Sequence, residues 1–521
     1  MYGSVVKNMI NILEMLENSA ERFPEHIAFS DPESSITFRE LSVRSKKVAT
    51  LLLNGSLSGI FRPESACAFY LEKSVEALPV MFGAVYAGGF YSFIDIRQPE
   101  ERAAKVLEIL EPAVIVTDEK NMEALSSVTA DSGIFRERTV ILSKLTAMAE
   151  AAQTDEELLQ KARDGFYDLM PLYVNFTSGS TGIPKGVAVG HASVIDFIPE
   201  FCRVFEIDNT DIIANQAPFD FDVSVKDIYS GLYTGAEVRL IPREYFSNPT
   251  VLMDYLSDNR VTTLIWAVSA MCFVSIMNGF EYRTPDTIKR VMFSGELMPV
   301  KQLNKWRKFL PDAVFVNLYG PTEITCNCTY YVLDREFEKD EIIPVGIPFK
   351  NEKVFLLDGE EEVTGTGREG EICVSGTTLA LGYYKDPEKT SEAFVQNPLN
   401  KRYYERIYRT GDMGRYDGQG NLVYTSRKDF QIKHLGQRIE LMDIEVSAMS
   451  VEGVGRACAL YDMKRKKIVL IYSGEIAKEV LSEGLKEKLP PFMLPGKTVQ
   501  LSELPLNKNG KIDRKALEKY I

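Results

Sequence analysis

Histidine is scarce: the 521 residues carry only three, His26, His191 and His434, which argues against a histidine-rich metal centre. Neither an H-E-x-x-H helix nor a G-x-S-x-G turn stands out. The seven cysteines are Cys67, Cys202, Cys272, Cys326, Cys328, Cys373 and Cys458. They are odd in number and scattered, and the C-x-C at 326–328 has no second Cys/His pair to complete a zinc set, so reduced, mostly buried thiols are expected. No charged-then-apolar leader pattern opens the chain, which starts acidic and amphipathic. The longest uncharged stretch, Ala77 to Ile94, approaches the length of a membrane span. Pro79, Gly83, Gly88 and Gly89 interrupt it, so it reads as a buried helix, a Gly-Gly turn and a short core strand. A soluble, cytoplasmic protein is the expectation. Positive charge is also short, with 60 Lys and Arg against 74 Asp and Glu, which opposes a general nucleic-acid binder.

What remains is an ordinary globular composition, 45% hydrophobic and 26% charged, which excludes disorder, collagen and coiled coil. The length suggests two to four domains. Apolar helical patterns alternate with short β-branched runs, such as EVRLI, VTTLIWAV and KRVMFSGE. This predicts an α/β fold with mixed, mostly parallel sheets flanked by helices. From about 343 to 427 glycines recur between short alternating strands, predicting an antiparallel, β-barrel-like subdomain. From Asp429 to Ile521 there are 16 Lys and Arg against 13 Asp and Glu. A mildly basic tail on an acidic body predicts a large domain at 1–428 and a small α+β domain at 429–521.

The most informative stretch is YVNFTSGSTGIPKGVAV, residues 173–189. Small residues let backbone approach a ligand, glycines permit the dihedrals of an anion nest, and hydroxyls with a lysine supply donors to phosphate oxygens. Lys185 is followed by Gly186, so this is neither a G-x-x-x-x-G-K-[ST] loop nor a G-x-G-x-x-G turn. A polyphosphate cradle of another type is predicted, against the blander reading of a flexible Ser/Gly loop.

T-S-G-S-T-G-x-P-K-G resembles the signature of the adenylate-forming superfamily: acyl-CoA synthetases, luciferases and adenylation domains of nonribosomal peptide synthetases. Further stretches match that superfamily in order. They are Ala87-Gly88-Gly89, Phe221-Asp222-Val223-Ser224, Asn317-Leu318-Tyr319-Gly320-Pro321-Thr322-Glu323, Gly370-Glu371-Ile372, Arg409-Thr410-Gly411-Asp412, Arg427-Lys428-Asp429 and Asn509-Gly510-Lys511. The resemblance spans essentially the whole chain. It implies the reaction R-COOH + ATP → acyl-AMP + pyrophosphate, then transfer of the acyl group to a thiol. Such chemistry rests on positioning and on cations aimed at the departing pyrophosphate.

The resemblance also implies roles. Thr177, Ser178, Gly179, Ser180, Thr181, Gly182 and Lys185 would hold the β- and γ-phosphates of ATP. Gly295, Glu296 and Gly320 would also bind ATP, with Tyr319 stacking on adenine and Asn317 reading its edge. Thr322 would touch the α-phosphate, and Glu323 would hold Mg²⁺, a hard cation that wants carboxylate and phosphate oxygens. Asp412 would take the ribose hydroxyls, with Arg427 nearby. Lys511 would bridge the substrate carboxylate and the α-phosphate. Asp429 would be the hinge on which the small domain turns, presenting first Lys511 and then the 429–437 loop. In that loop Leu435, after His434, stands where relatives often carry Arg or His.

Asp222 is the discriminator of substrate. In amino-acid-activating relatives this Asp pairs with the substrate ammonium, and a buried carboxylate needs such a partner. Val223, Lys226, Ile265, Met292, Ser294, Leu318, Cys326 and Asn327 fall at positions that line the side-chain pocket. Lys226 is read either as an i,i+4 salt bridge to Asp222 or as a cation for an acidic or polar substrate; a small amino acid such as alanine comes next. Stand-alone D-alanine–carrier protein ligases are similar at Phe221–Tyr229, which makes a phosphopantetheinylated carrier protein in trans the expected acceptor. The rival readings are an acyl-CoA synthetase using free CoA, a non-catalytic nucleotide-binding relative, and a kinase or ATPase.

Overall fold

A computed structural model describes residues 9–57, 61–130, 132–178, 183–339, 341–428, 430–506 and 512–521. Gly179, Ser180, Thr181, Gly182, Asp429 and Lys511, each assigned a role above, lie outside the described residues.

Two large sheets dominate. In one, six parallel strands run in the order Val314–Tyr319, Arg290–Ser294, Thr263–Ala267, Ile212–Asn215, Glu237–Leu240 and Ile27–Ser30, with antiparallel strands at both margins. The other orders Gly382–Tyr383, Lys185–Gly190, Pro171–Thr177, Phe90–Phe93, Ala66–Tyr70, Val114–Thr117 and Thr139–Ile141. Its inner strands are parallel, apart from the hairpin 171–190 and the short Gly382–Tyr383 that pairs with it. The uncharged stretch resolves as expected into the helix Leu78–Tyr86, Gly88-Gly89 and the strand Phe90–Phe93, all buried.

The period-2 alternation of the strands sorts side chains into two cores. Leu264, Trp266, Val291, Phe293 and Phe315 face one core with Trp306, whose ring meets Trp266 edge-on at 6.2 Å. Ile265, Met292, Val316 and Leu318 face the other, which is shared with strands of the second sheet and with the helices Phe38–Leu53, His191–Phe205 and Val223–Thr234. Three of the pocket positions expected from the sequence, Ile265, Met292 and Leu318, thus lie on the face turned toward the neighbouring sheet.

Residues 352–427 form a curled antiparallel sheet. Its long strand Arg406–Tyr416 pairs with Glu369–Gly376 on one edge and shares the other between Phe394–Gln396 and Leu422–Arg427. Beyond it, the hairpin Gln431–His434/Gln437–Glu440 leads into the strands Val454–Asp462, Lys467–Gly474 and Lys497–Leu501 with three short helices. Two apolar clusters here draw their buried members only from residues 439–517. All seven cysteines are free thiols. Among the described residues no helix is long and apolar enough to cross a membrane.

Candidate active site

The described residues that flank the glycine- and serine-rich motif belong to a β-hairpin: Thr177 pairs with Lys185 and Phe176 with Gly186. Gly186 is required by packing, since a Cβ there would meet Val174 Cγ1 at 2.8 Å. Ser178 Oγ donates to the backbone carbonyl of Arg438 at 2.7 Å. Thr177 Oγ1 is buried and has no hydrogen-bond partner among the described residues. Lys185 Nζ lies 5.5 Å from the Tyr383 ring centroid and 3.8 Å from Glu440. Burial lowers its pKa, and the Arg438 charge adds to that effect.

Opposite the hairpin, the strand Val314–Tyr319 delivers Tyr319 and a tight turn. The turn at Gly320 passes under residues 326–328; a Cβ at 320 would meet Asn327 Cα at 2.5 Å and Cys326 O at 2.7 Å. That crossing holds Thr325 and Cys326 at φ of 55° and 78°, strained values for side chains with a Cβ. Tyr319 donates its hydroxyl to Asp412 Oδ2 at 2.6 Å, and Arg427 Nη1 donates to Asp412 Oδ1 at 2.5 Å. The three residues expected near adenine and ribose are therefore one hydrogen-bonded group. Asn317 donates its amide to Pro344 O at 2.8 Å.

Glu323 is fully buried. Arg438 Nη1 donates to Oε1 and Oε2, each at 2.8 Å, and Tyr383 donates its hydroxyl to Oε1 at 2.8 Å. Burial would raise this carboxyl, but the Arg438 charge and the Tyr383 hydroxyl overcome it and hold the pKa at about 2. Glu323 is therefore a permanent anion whose oxygens accept a cation. A carboxylate is one ligand a hard divalent ion would take; among the described residues no cluster of three or more His, Cys, Asp or Glu side chains adds to it.

Asp222 precedes the helix Val223–Thr234, and with Thr322, Ser178, Gln437 and Arg438 it lines a cavity. Burial raises its pKa, and the Thr322 hydroxyl and the charges of Lys226 and Lys433 offset only part of the shift. Cys326 Sγ donates to Asp222 O at 3.0 Å, and burial drives that thiol's pKa far upward, so it is a wall and not a nucleophile. All eight expected pocket residues are buried. Lys226 Nζ donates to Asn327 Oδ1 at 2.5 Å, so the amide, rather than Asp222 four residues earlier, is its hydrogen-bond partner.

Several site residues escaped the sequence reading. Lys73, with a pKa lowered to about 7 by burial, donates to Asn215 Oδ1 at 2.7 Å and to three backbone carbonyls. Asn215 in turn donates to Asp227 Oδ2 at 2.7 Å. Arg438 and Glu440 were also missed; the alternation of R-I-E after Gly436 was the available signal. Glu296, expected among the ATP-binding residues, accepts from the Gly436 N–H at 2.5 Å and pairs with Lys466 at 3.3 Å. Lys433 Nζ stands 5.7 Å from the Tyr319 ring centroid. Leu435 is exposed at φ 53°, and His434 Nδ1 is 3.1 Å from the Tyr461 hydroxyl. The 431–440 hairpin is thus inserted into the cleft.

Comparison with known proteins adds to this geometry. A family described as AMP-binding enzyme matches residues 16–384. Zwittermicin A synthase ZmaJ of Bacillus cereus is 31% identical over 518 residues, covering 97% of this chain and 94% of that protein. Gramicidin S synthase 2 of Brevibacillus brevis is 30% identical over 97% of this chain, which spans only 11% of that much longer protein. Among solved structures, holo-PA1221, an NRPS protein containing adenylation and PCP domains, superposes with a TM-score of 0.83 at 24% identity, covering 99% of this chain and 85% of that one. The Vibrio cholerae adenylation domain AlmE, in complex with glycyl-adenosine-5'-phosphate, gives 0.82 at 21% identity, covering 100% and 99%. At these identities the two structures establish the fold.

Proposed function

Because this chain belongs to the AMP-binding enzyme family, we propose that it adenylates an amino acid and passes the aminoacyl group to the phosphopantetheine thiol of a carrier protein. The class of chemistry is ATP-dependent, adenylate-forming ligation. The observation that carries the amino-acid reading is Asp222. This buried carboxylate lines the cavity, its pKa raised by burial, and a substrate ammonium would supply the counter-ion that desolvation demands. The glycyl adenylate bound by the Vibrio cholerae neighbour is in keeping with it.

In this reading Lys185, Ser178 and Thr177 hold the outer phosphates of ATP, and Tyr319, Asp412 and Arg427 hold the nucleoside. Thr322 orients the α-phosphate. Glu323 would hold Mg²⁺, which when bound neutralises charge on the departing pyrophosphate. The body at 1–428 and the small domain at 429–521 turn about Asp429, bringing Lys511 in for the first step and the 431–440 hairpin for the second. The hairpin's insertion supports the second arrangement as the one described. Its cavity, walled by Asp222 and Thr322 on one side and Gln437, Arg438 and Phe492 on the other, supports a thiol route. A carrier-bearing partner is in keeping with the adenylation–PCP chains among the structural neighbours.

For the side chain, Lys226 favours a substrate ending in a hydrogen-bond acceptor: its ammonium reaches the pocket wall on a neutral amide, and a carboxylate or amide would take its other N–H groups. A small amino acid is the second reading, favoured by the closed packing of the eight wall residues. Amino-acid-dependent ATP–pyrophosphate exchange over a full panel tests both. Exchange with aspartate, glutamate or their amides selects the first reading and exchange with alanine or glycine the second. Silence with every amino acid removes the Asp222 argument.

A further inference from the structure

Lys73, Asp227, Lys226 and Asp222 form a series of charges of alternating sign, each the counter-charge of the next. Lys73 lies in the loop after the strand Ala66–Tyr70. Its ammonium donates to Asn215 Oδ1 at 2.7 Å and to the carbonyls of Asn215, Gln216 and Ala217 at 2.9, 3.0 and 3.1 Å. Such a ring of acceptors calls for a protonated amine, because a neutral one would turn a lone pair toward an oxygen. Asn215, fully buried, relays the contact. Its oxygen faces an ammonium that can only donate, which leaves Nδ2 to donate to Asp227 Oδ2 at 2.7 Å. Burial pushes the Asp227 carboxyl up to about 7, and the Asn215 amide with the Lys226 and Lys73 charges acts against that rise.

Lys226 and Asp227 are neighbours on the helix Val223–Thr234, so their side chains leave it about 100° apart. Asp227 turns to Asn215, and Lys226 turns to Asn327 Oδ1, its hydrogen-bond partner among the described residues. Both charged side chains are fully buried. The anions near Lys226 are Asp222 and Asp227, since burial keeps the Cys326 thiol protonated. In the amino-acid reading above, on which the present step rests, Asp222 takes the substrate ammonium. Asp227 is already held, through Asn215, by Lys73. Lys433, which also faces Asp222, has Asp412 as its first counter-charge. Lys226 is then a buried ammonium on a neutral amide, and such a charge demands an anion. We propose that Lys73 is a positioning residue for substrate selection: by holding Asp227 it leaves the charge of Lys226 to the substrate, an amino acid whose side chain ends in a carboxylate.

The test compares ATP–pyrophosphate exchange for glutamate against glutamine and for aspartate against asparagine, at pH 8.5, above the raised range of Asp227. In one pair the wild type should favour the carboxylate over its amide by about tenfold or more in kcat/KM. In Lys73→Met, Asp227 loses its cation and pairs with Lys226, so the preference should fall about fivefold. Equilibrium binding of ATP, remote from this series, should stay near the wild-type value and reports that the variant is folded. Adding Asp227→Asn to Lys73→Met frees Lys226 again and should restore the preference, whereas a pocket merely loosened by the first change would be worse after the second. Lys73→Arg, which keeps the charge, should retain the wild-type ratio. The wild-type ratio decides the substrate class even where a variant fails to fold. A wild type that favours the amides, or a ratio that Lys73→Met leaves unmoved, overturns the proposal. Exchange confined to other amino acids also overturns it and leaves the amino-acid reading standing; silence with every amino acid removes both.

Discussion

Asp222 and Gly320 show how single residues in this site answer to different physics. The Asp222 carboxyl is disfavoured by its burial and becomes useful only against a cation. Asp222→Asn should therefore lower amino-acid-dependent exchange by about 100-fold, the loss of roughly 3 kcal/mol that accompanies removing one partner of a buried charge pair. ATP affinity, measured by equilibrium binding, should change little, because Tyr319, Asp412 and Arg427 do not touch the substituted carboxyl. Gly320 carries no chemistry. An added Cβ would press on the backbone of residues 326–328, 2.5–3.0 Å away, and backbone cannot swing aside as a side chain can. Gly320→Ala should cost about 2 kcal/mol in denaturant unfolding and disturb Asn327, raising the KM for the amino acid.

At the scale of elements, strands deliver half of the eight expected pocket residues, and the short-range pattern was legible. Ile265, Met292 and Leu318 share a face because strands have period 2, and the expected strands around 237–241, 261–268 and 289–296 are all present. Partners from distant elements were not legible. Glu352 begins the strand Glu352–Asp358; it accepts from Thr378 Oγ1, while its second oxygen is buried and without a hydrogen-bond partner among the described residues. Burial, reinforced by Asp196, raises its pKa from 4.5 to about 8, against the Thr378 hydrogen bond. A carboxyl raised on folding stabilises fully below about 4.5, and that contribution is lost as pH climbs through about 8. Thermal melts of wild type and Glu352→Gln at pH 5 and pH 8.5 should show the variant gaining on the wild type at the higher pH, on the order of 2 kcal/mol. Parallel melts at the two values would contradict it.

Across the whole molecule, the two-step reading proposed above assigns the half-reactions to different ends of the small domain. Lys511→Ala should abolish most exchange activity yet leave thioester formation from supplied aminoacyl-AMP within a few-fold of wild type; equal loss of both would remove Lys511 from the first step. The motifs were readable in order along the chain because each segment to which nucleotide binding is assigned is local: the hairpin strands flanking the loop that follows Ser178, a strand and turn at 317–323, and a strand at 406–416. Local backbone geometry and residue type suffice to announce such segments. What only folding decided is which groups meet across them. Arg438 reaches Glu323 over 115 positions and Gly436 reaches Glu296 over 140, and Lys226 ends on Asn327 rather than on Asp222. Spacing in the chain carries no record of such pairings, since they follow from how the sheets pack and from where buried charges find their counter-charges.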